Sequence, residues 1–259
     1  MLQRIPLLLA ACALQLPVFS AANPFAGTWK FNQAKSDLKG QTYTIASLGD
    51  NRFRFTFGSA QDFTINADGT DQTSLPGTTV AITVKDPNTW ELVFKTNGTK
   101  TGTATCSLAA DGKSQACKFT VIRPDGSEVE NTFVDHRVSG SGGFAGVWQR
   151  ASMTLGNPSL LQIDASPNGN LAVSWPSDKV SMTVTLDGND FAVEGPTVVK
   201  GATASATRKG AHSIRMTDKL NGKVLDTADW KVSSDGKVLT ITEHDAGVKK
   251  ATVSVYDRQ

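Results

Sequence analysis

The pentapeptide "FAGTW" begins at Phe25, and "FAGVW" begins at Phe144, 119 residues further on. The shift that superposes them also lays Asp68-Gly69 over Asp187-Gly188. At an offset of 124, "NGTK" at Asn97 falls on "NGKV" at Asn221, and "ADGK" at Ala110 falls on "SDGK" at Ser234. The halves also end alike, with "FVDHR" from Phe133 and "VYDR" from Val255. Landmarks kept in order while loop lengths drift are what duplication of a whole domain leaves behind, and a period this long means two domains, not a solenoid. The repeat therefore predicts domains over residues 23–139 and 143–259, joined by residues 140–142 of the flexible stretch "SGSGG".

Within each half the hydrophobic period is two. "RFRFTF" puts Phe53, Phe55 and Phe57 on one face, and "WELVF" does the same for Trp90, Leu92 and Phe94. Leu171, Val173 and Trp175 echo the first trio in the second half, and Val180, Met182, Val184 and Leu186 form another face. Turn sequences such as "NADG", "TNGT", "AADG", "LNGK" and "SSDG" separate these runs at intervals of about ten residues. No helical stripe interrupts them. An open meander would expose two long edges, which closure removes, so the expected fold is all-β: two tandem antiparallel up-and-down barrels.

The N-terminus reads as an export signal over residues 1–22. Arg4 precedes an apolar run from Ile5 to Phe19, and the small residues Ser20, Ala21 and Ala22 follow, with cleavage expected after Ser20 or Ala22. The rival reading is "LAAC" at Leu9–Cys12, a lipid-attachment pattern that would bring in the membrane through Cys12. Either way the expected destination is periplasmic or secreted. With 26 basic against 24 acidic residues and no basic cluster, nucleic acid is not the expected partner.

The opening motif resembles the Gly-x-Trp start of the lipocalins and the F-x-G-x-W start of the fatty-acid-binding proteins, together the calycin superfamily. The closing "VYDRQ" is similar to the end of the fatty-acid-binding barrel. That resemblance implies a structural plug: a first-strand tryptophan closes one end of the barrel, and an arginine near the last strand packs across its ring. Carried onto this chain, Trp29 would meet Arg137 and Trp148 would meet Arg258. The chain departs from both families, having neither a two-helix lid after the first strand nor a helix after the barrel. The resemblance thus supports a lipocalin-like barrel and nothing finer.

Catalytic constellations are scarce, and no catalytic, cofactor-binding or metal-binding residue is assigned. His136, His212 and His244 are isolated, and in "EHD" (Glu243–Asp245) a strand would point His244 away from both neighbours. Glu128 and Glu130 share a strand face, which reads as solvated charge. Cys106 and Cys117 flank a turn centred on Asp111-Gly112, where they face each other directly, or diagonally if Gly112 carries a bulge. Trp230 and Ile241 fill the matching positions of the second half. In an oxidising compartment the cysteines are expected to form a disulfide. Two functions fit the whole. One is a small apolar or amphipathic ligand held inside a barrel, lined by Phe53, Phe55, Phe57, Trp90, Leu92 and Phe94. The other is a pair of solid barrels acting as an interaction module. Enzymatic activity has no nominated residues.

Overall fold

Alternating sequence becomes strand almost everywhere. The computed structural model describes residues 23–59, 61–140 and 142–259; the export-signal reading of residues 1–22, Cys12 included, lies outside them. The first eleven strands are β1 (Gly27–Phe31), β2 (Thr42–Gly49), β3 (Arg52–Phe57), β4 (Gln61–Asn66), β5 (Gln72–Leu75), β6 (Thr78–Asp86), β7 (Thr89–Thr96), β8 (Thr99–Leu108), β9 (Ser114–Ile122), β10 (Glu128–Ser139) and β11 (Gly146–Thr154). The rest are β12 (Leu161–Ala165), β13 (Leu171–Trp175), β14 (Val180–Val184), β15 (Asp187–Ala192), β16 (Ala202–Gly210), β17 (Ser213–Leu220), β18 (Lys223–Val232), β19 (Val238–Asp245) and β20 (Thr252–Arg258). The described helices are two single 3-10 turns, at Gln33–Lys35 and Pro176–Asp178. Tight turns are set locally: Asn97-Gly98 and Asn221-Gly222 take positive φ at both residues, as two-residue hairpins on twisted strands require.

These strands form two antiparallel ten-stranded sheets, each curled into a nearly closed barrel. The first barrel runs β4-β3-β2-β11-β10-β9-β8-β7-β6-β5, and the second runs β14-β13-β12-β1-β20-β19-β18-β17-β16-β15. Each lacks a ladder at one seam, between β4 and β5 or between β14 and β15. Isolated bridges lie near these seams, Asp68 with Thr83 and Ser181 with Glu194.

This order corrects the domain boundaries drawn from the repeat. β1, with the first "FAGTW", pairs with β12 and β20 and so belongs to the second barrel. β11, with "FAGVW", pairs with β10 and β2 and completes the first. The two repeats have exchanged their opening strands. "SGSGG" is accordingly a connection between adjacent strands of one barrel and not an interdomain joint. The chain passes between barrels through residues 32–41 and 155–160 instead. What permits the exchange is the shared motif: each barrel sets an arginine across whichever opening-strand tryptophan it receives. The ten-residue connection from β1 to β2 is far longer than a hairpin needs, and it suits a crossing.

The crossings fix how the barrels sit. β1 leaves the second barrel at the end away from its tryptophan, and β2 enters the first at the corresponding end, so the two mouths face each other. Hairpin tips meet across the junction. The Ser59 backbone N–H donates to the Ala246 carbonyl at 2.7 Å. Asn97 Nδ2 donates to the Val198 carbonyl at 3.0 Å, and Arg123 Nε pairs with Asp178 at 3.1 Å. Gln33, on one crossing segment, donates to the Met153 carbonyl and accepts from the Leu155 N–H at the start of the other.

Candidate functional site

The closed end of each barrel is the motif itself. The Trp29 indole N–H donates to the Phe25 carbonyl at 2.9 Å, and that of Trp148 donates to Phe144 at 2.9 Å; both indoles are fully buried. The arginines do pack across the rings, but with partners opposite to those the resemblance implied. Arg137 lies 4.2 Å over Trp148, and Arg258 lies 4.1 Å over Trp29. Strand exchange is the cause, since each tryptophan moved with its strand while each arginine stayed. The motif glycine makes room for the contact: a Cβ at Gly146 would stand 2.6 Å from the Arg137 guanidinium, and one at Gly27 would overlap that of Arg258. Each guanidinium also donates to backbone carbonyls at the barrel base, as Arg137 Nε does to Gly112 at 2.6 Å. Each tryptophan is thus buried beneath an arginine that ties the strands around it together.

Above Trp148 the first barrel holds a partly open cavity of about 340 Å³. Of the six residues picked from the two aromatic-rich runs, Phe55, Phe57, Trp90, Leu92 and Phe94 line it; Phe53 does not, and packs edge-on against Trp90 with ring centroids 4.8 Å apart. Further lining comes from Phe63, Phe119 and Phe133, none of which the alternation of β3 and β7 could indicate. Cys106 and Cys117 form the expected disulfide, directly opposed in register, and it lies in the cavity wall. Gln61 and Phe63 on β4, with Ser74 and Leu75 on β5, bring the lining to the unpaired seam.

One wall of this cavity is polar. Adjacent strands β9, β11 and β2 contribute Gln115, Arg150 and Tyr43 to the lining, and Asp135 of β10 is buried behind them. Asp135 is wholly buried and accepts from three donors: Arg150 Nε at 2.5 Å, Tyr43 Oη at 2.7 Å and Gln115 Nε2 at 3.3 Å. Gln115 also reaches the Tyr43 hydroxyl. The Arg150 guanidinium stacks 4.4 Å over the Phe133 ring. Burial and the charge of Asp135 push the Tyr43 hydroxyl well above the usual phenol range, so it stays a donor. None of these four was singled out from the sequence. The signal that could have found them is parity: Asp135 and Arg150 lie two residues from Arg137 and Trp148 and therefore face inward with them.

The second barrel reverses this layout. Its base is filled by buried Trp29, Leu161, Ile163, Leu171, Val173, Val184, Ile214, Met216 and Leu239. Its mouth carries Asp218, Asp226, Glu243 and Asp245 on the inner face, half-buried. Burial and mutual repulsion raise Asp226 and Glu243 to about 7. Carboxylate oxygens of Asp226, Glu243 and Asp245 lie within 4.8 Å of one another, and Asp245 accepts from Gln41 Nε2 of the crossing segment at 2.6 Å. As the alternation of "EHD" requires, His244 points away from its neighbours: it is exposed, and Glu243 and Asp245 are half-buried on the inner face. Glu128 and Glu130 are exposed, and Glu130 pairs with Lys118 at 2.5 Å. A second hollow of about 340 Å³ lies at the junction, between Val121, Val129 and Asn131 of the first barrel and Trp175, Asp178 and Tyr256 of the second.

Comparison with protein-family models, with curated proteins and with solved structures finds no match for this chain. The two nearly closed, ten-stranded antiparallel barrels therefore stand on their own geometry.

Proposed function

We propose that this is an exported, lipocalin-like binding protein whose first barrel holds one small, largely apolar molecule, with the second barrel as brace and cover. The observation that carries this reading is the 340 Å³ cavity lined by aromatic rings, in one barrel of a pair whose other member packs aliphatic side chains at the equivalent level. That volume falls within the range of about 300–1,000 Å³ typical of small-molecule sites, and an apolar lining with a few placed polar groups is their usual composition. The ligand enters at the β4–β5 seam, where lining residues meet an unpaired edge. The basic, apolar and small-residue segments of residues 1–22 support delivery to the periplasm or the exterior.

The test is direct. Native mass spectrometry of protein purified from its own compartment should show one bound small molecule per chain, and the neutral dye N-phenyl-1-naphthylamine should bind saturably at one site. Ala104→Trp, which fills the cavity from β8, should abolish both. Absence of saturable binding to the wild-type protein would transfer the reading to an interaction module.

A further inference from the structure

We infer that the ligand of the first barrel is an uncharged amphiphile whose polar end both accepts and donates hydrogen bonds, as a primary carboxamide or an alcohol does. This rests on the ligand-binding reading above. The argument starts from charge balance. Arg150 is the one charged residue lining the cavity, and its charge is already matched by Asp135 directly behind it: Arg150 Nε binds Asp135 Oδ1 at 2.5 Å, with Asp135 fully buried. The Asp135 carboxylate is further held by Tyr43 and Gln115, so it offers a ligand little. A carboxylate or phosphate entering this wall would add a second negative charge beside a neutral pair. An ammonium would meet the arginine. Neither finds an unmatched counter-charge, since the lining cation Arg150 is already balanced by Asp135, and an unpaired charge in a largely apolar pocket is strongly disfavoured.

What the wall does offer is neutral hydrogen bonding. Arg150 lines the cavity, and its Nη2 makes no hydrogen bond among the described residues; its Nη1 is engaged only by the Met153 sulfur at 3.6 Å. Gln115 uses its amide nitrogen on Asp135 and Tyr43 and keeps its carbonyl oxygen. One donor and one acceptor therefore face the same space. A ligand carbonyl or hydroxyl oxygen would accept from Arg150, and its N–H or O–H would donate to Gln115. The rest of the molecule would lie on the rings of Phe55, Phe63 and Trp90.

Displacement of N-phenyl-1-naphthylamine from the full chain tests this with one ten-carbon tail on four heads: decanamide, decanol, decanoate at pH 8 and decyltrimethylammonium below its micelle concentration. Decanamide and decanol should displace the dye at concentrations at least tenfold lower than either ion. Equal or tighter binding of decanoate would overturn the inference, and so would a preference for the ammonium, which would point to the acidic mouth of the second barrel instead. If the dye itself does not bind, the ligand-binding reading fails and this inference falls with it. Saturable dye binding with another head-group order sinks the inference alone. Asp135→Asn supplies the second arm: it leaves Arg150 without its counter-charge and should shift the ratio at least tenfold toward decanoate. An unchanged ratio in a folded variant would show that the ion pair does not set head-group choice.

Discussion

The two barrels share a plug, a strand order and a disposition of turns, yet their interiors are inverted. At the layer above the plug the first barrel holds Tyr43, Gln115, Asp135 and Arg150, and the second holds Leu161, Leu239, Tyr256 and Phe31 in the same register. Nearer the mouth the order flips. Phe94, Gly102, Phe119 and Val121 of the first barrel correspond to Asp218, Asp226, Glu243 and Asp245 of the second. The strand exchange belongs to this difference. Without it, Asp135 would face Phe31, and Arg150 would sit among the aliphatic residues of the second base. A buried charge without its partner is strongly destabilising, so the ion pair should favour the exchanged topology over the unexchanged one.

The largest expected effect tests that selection. Arg150→Leu should destabilise the chain by about 3–5 kcal/mol in urea unfolding, because it leaves Asp135 buried without its charged partner. Phe31→Leu at the equivalent position should cost no more than about 1.5 kcal/mol, since the side chain is only half-buried and packs edge-on against Tyr256. The double variant Phe31→Arg, Arg150→Phe should recover part of the loss by letting the opening strands trade places. Spin labels on β1 and β10 would then move close together, and unchanged label distances would show that something other than the pair dictates the exchange.

That result bears on what was legible from the residues alone. Strands, turns, the two-barrel architecture and the disulfide follow from alternation and turn chemistry, which are local. Which tryptophan meets which arginine does not, because "FAGTW" and "FAGVW" are locally the same and what distinguishes their places lies outside the motif, in contacts such as that of Arg150 with Asp135. The apolar candidates Phe55, Phe57, Trp90, Leu92 and Phe94 were readable because they alternate in uninterrupted runs. The polar wall and the acidic mouth were hidden for the opposite reason. A charged residue in a strand is ordinarily taken as facing solvent, and only counting from the inward anchors Trp148, Arg137, Trp230 and Ile241 turns these inward.

A second comparison concerns packing. Leu92 and Met216 occupy equivalent positions, one beside a cavity and the other in a filled core. Met216→Ala should cost about 2–5 kcal/mol, since it opens a void in a packed interior. Leu92→Ala only enlarges an existing void and should cost about 2 kcal/mol less, while weakening dye uptake severalfold. Equal losses at both sites would mean that the first barrel closes up in solution.

The acidic mouth should give the second barrel a pH dependence that the first lacks. Asp226 and Glu243 are raised to about 7 by burial and mutual repulsion, so the folded state binds protons that the unfolded chain releases at ordinary carboxylate pKa values. Stability is then fully present below about pH 4 to 5 as far as these groups are concerned, and it is lost as pH rises through 7. Unfolding midpoints should accordingly fall between pH 5 and pH 8, by the equivalent of about 2 kcal/mol once solvent screening of these half-exposed groups is allowed for. Asp226→Asn with Glu243→Gln should flatten that slope. A slope that survives both substitutions would assign it elsewhere.

The smallest effect is expected where the barrels differ most in chemistry and least in role. Cys106 and Cys117 face each other where Trp230 and Ile241 do in the second barrel, so the same cross-strand site is closed by sulfur in one and by hydrocarbon in the other. Their separation of eleven residues makes a short loop, for which the loop-entropy model assigns about 2–3 kcal/mol. Valine at both positions restores part of this through cross-strand apolar contact, leaving a net loss of about 1–2 kcal/mol. The second barrel shows that the site needs no covalent bond to hold its register, so the variant should keep its fold and its dye binding. Intact mass with and without reductant reports the bond in the native protein, and urea unfolding reports the loss. A collapse of dye binding in the valine variant would give the disulfide a part in shaping the cavity wall, beyond joining β8 to β9.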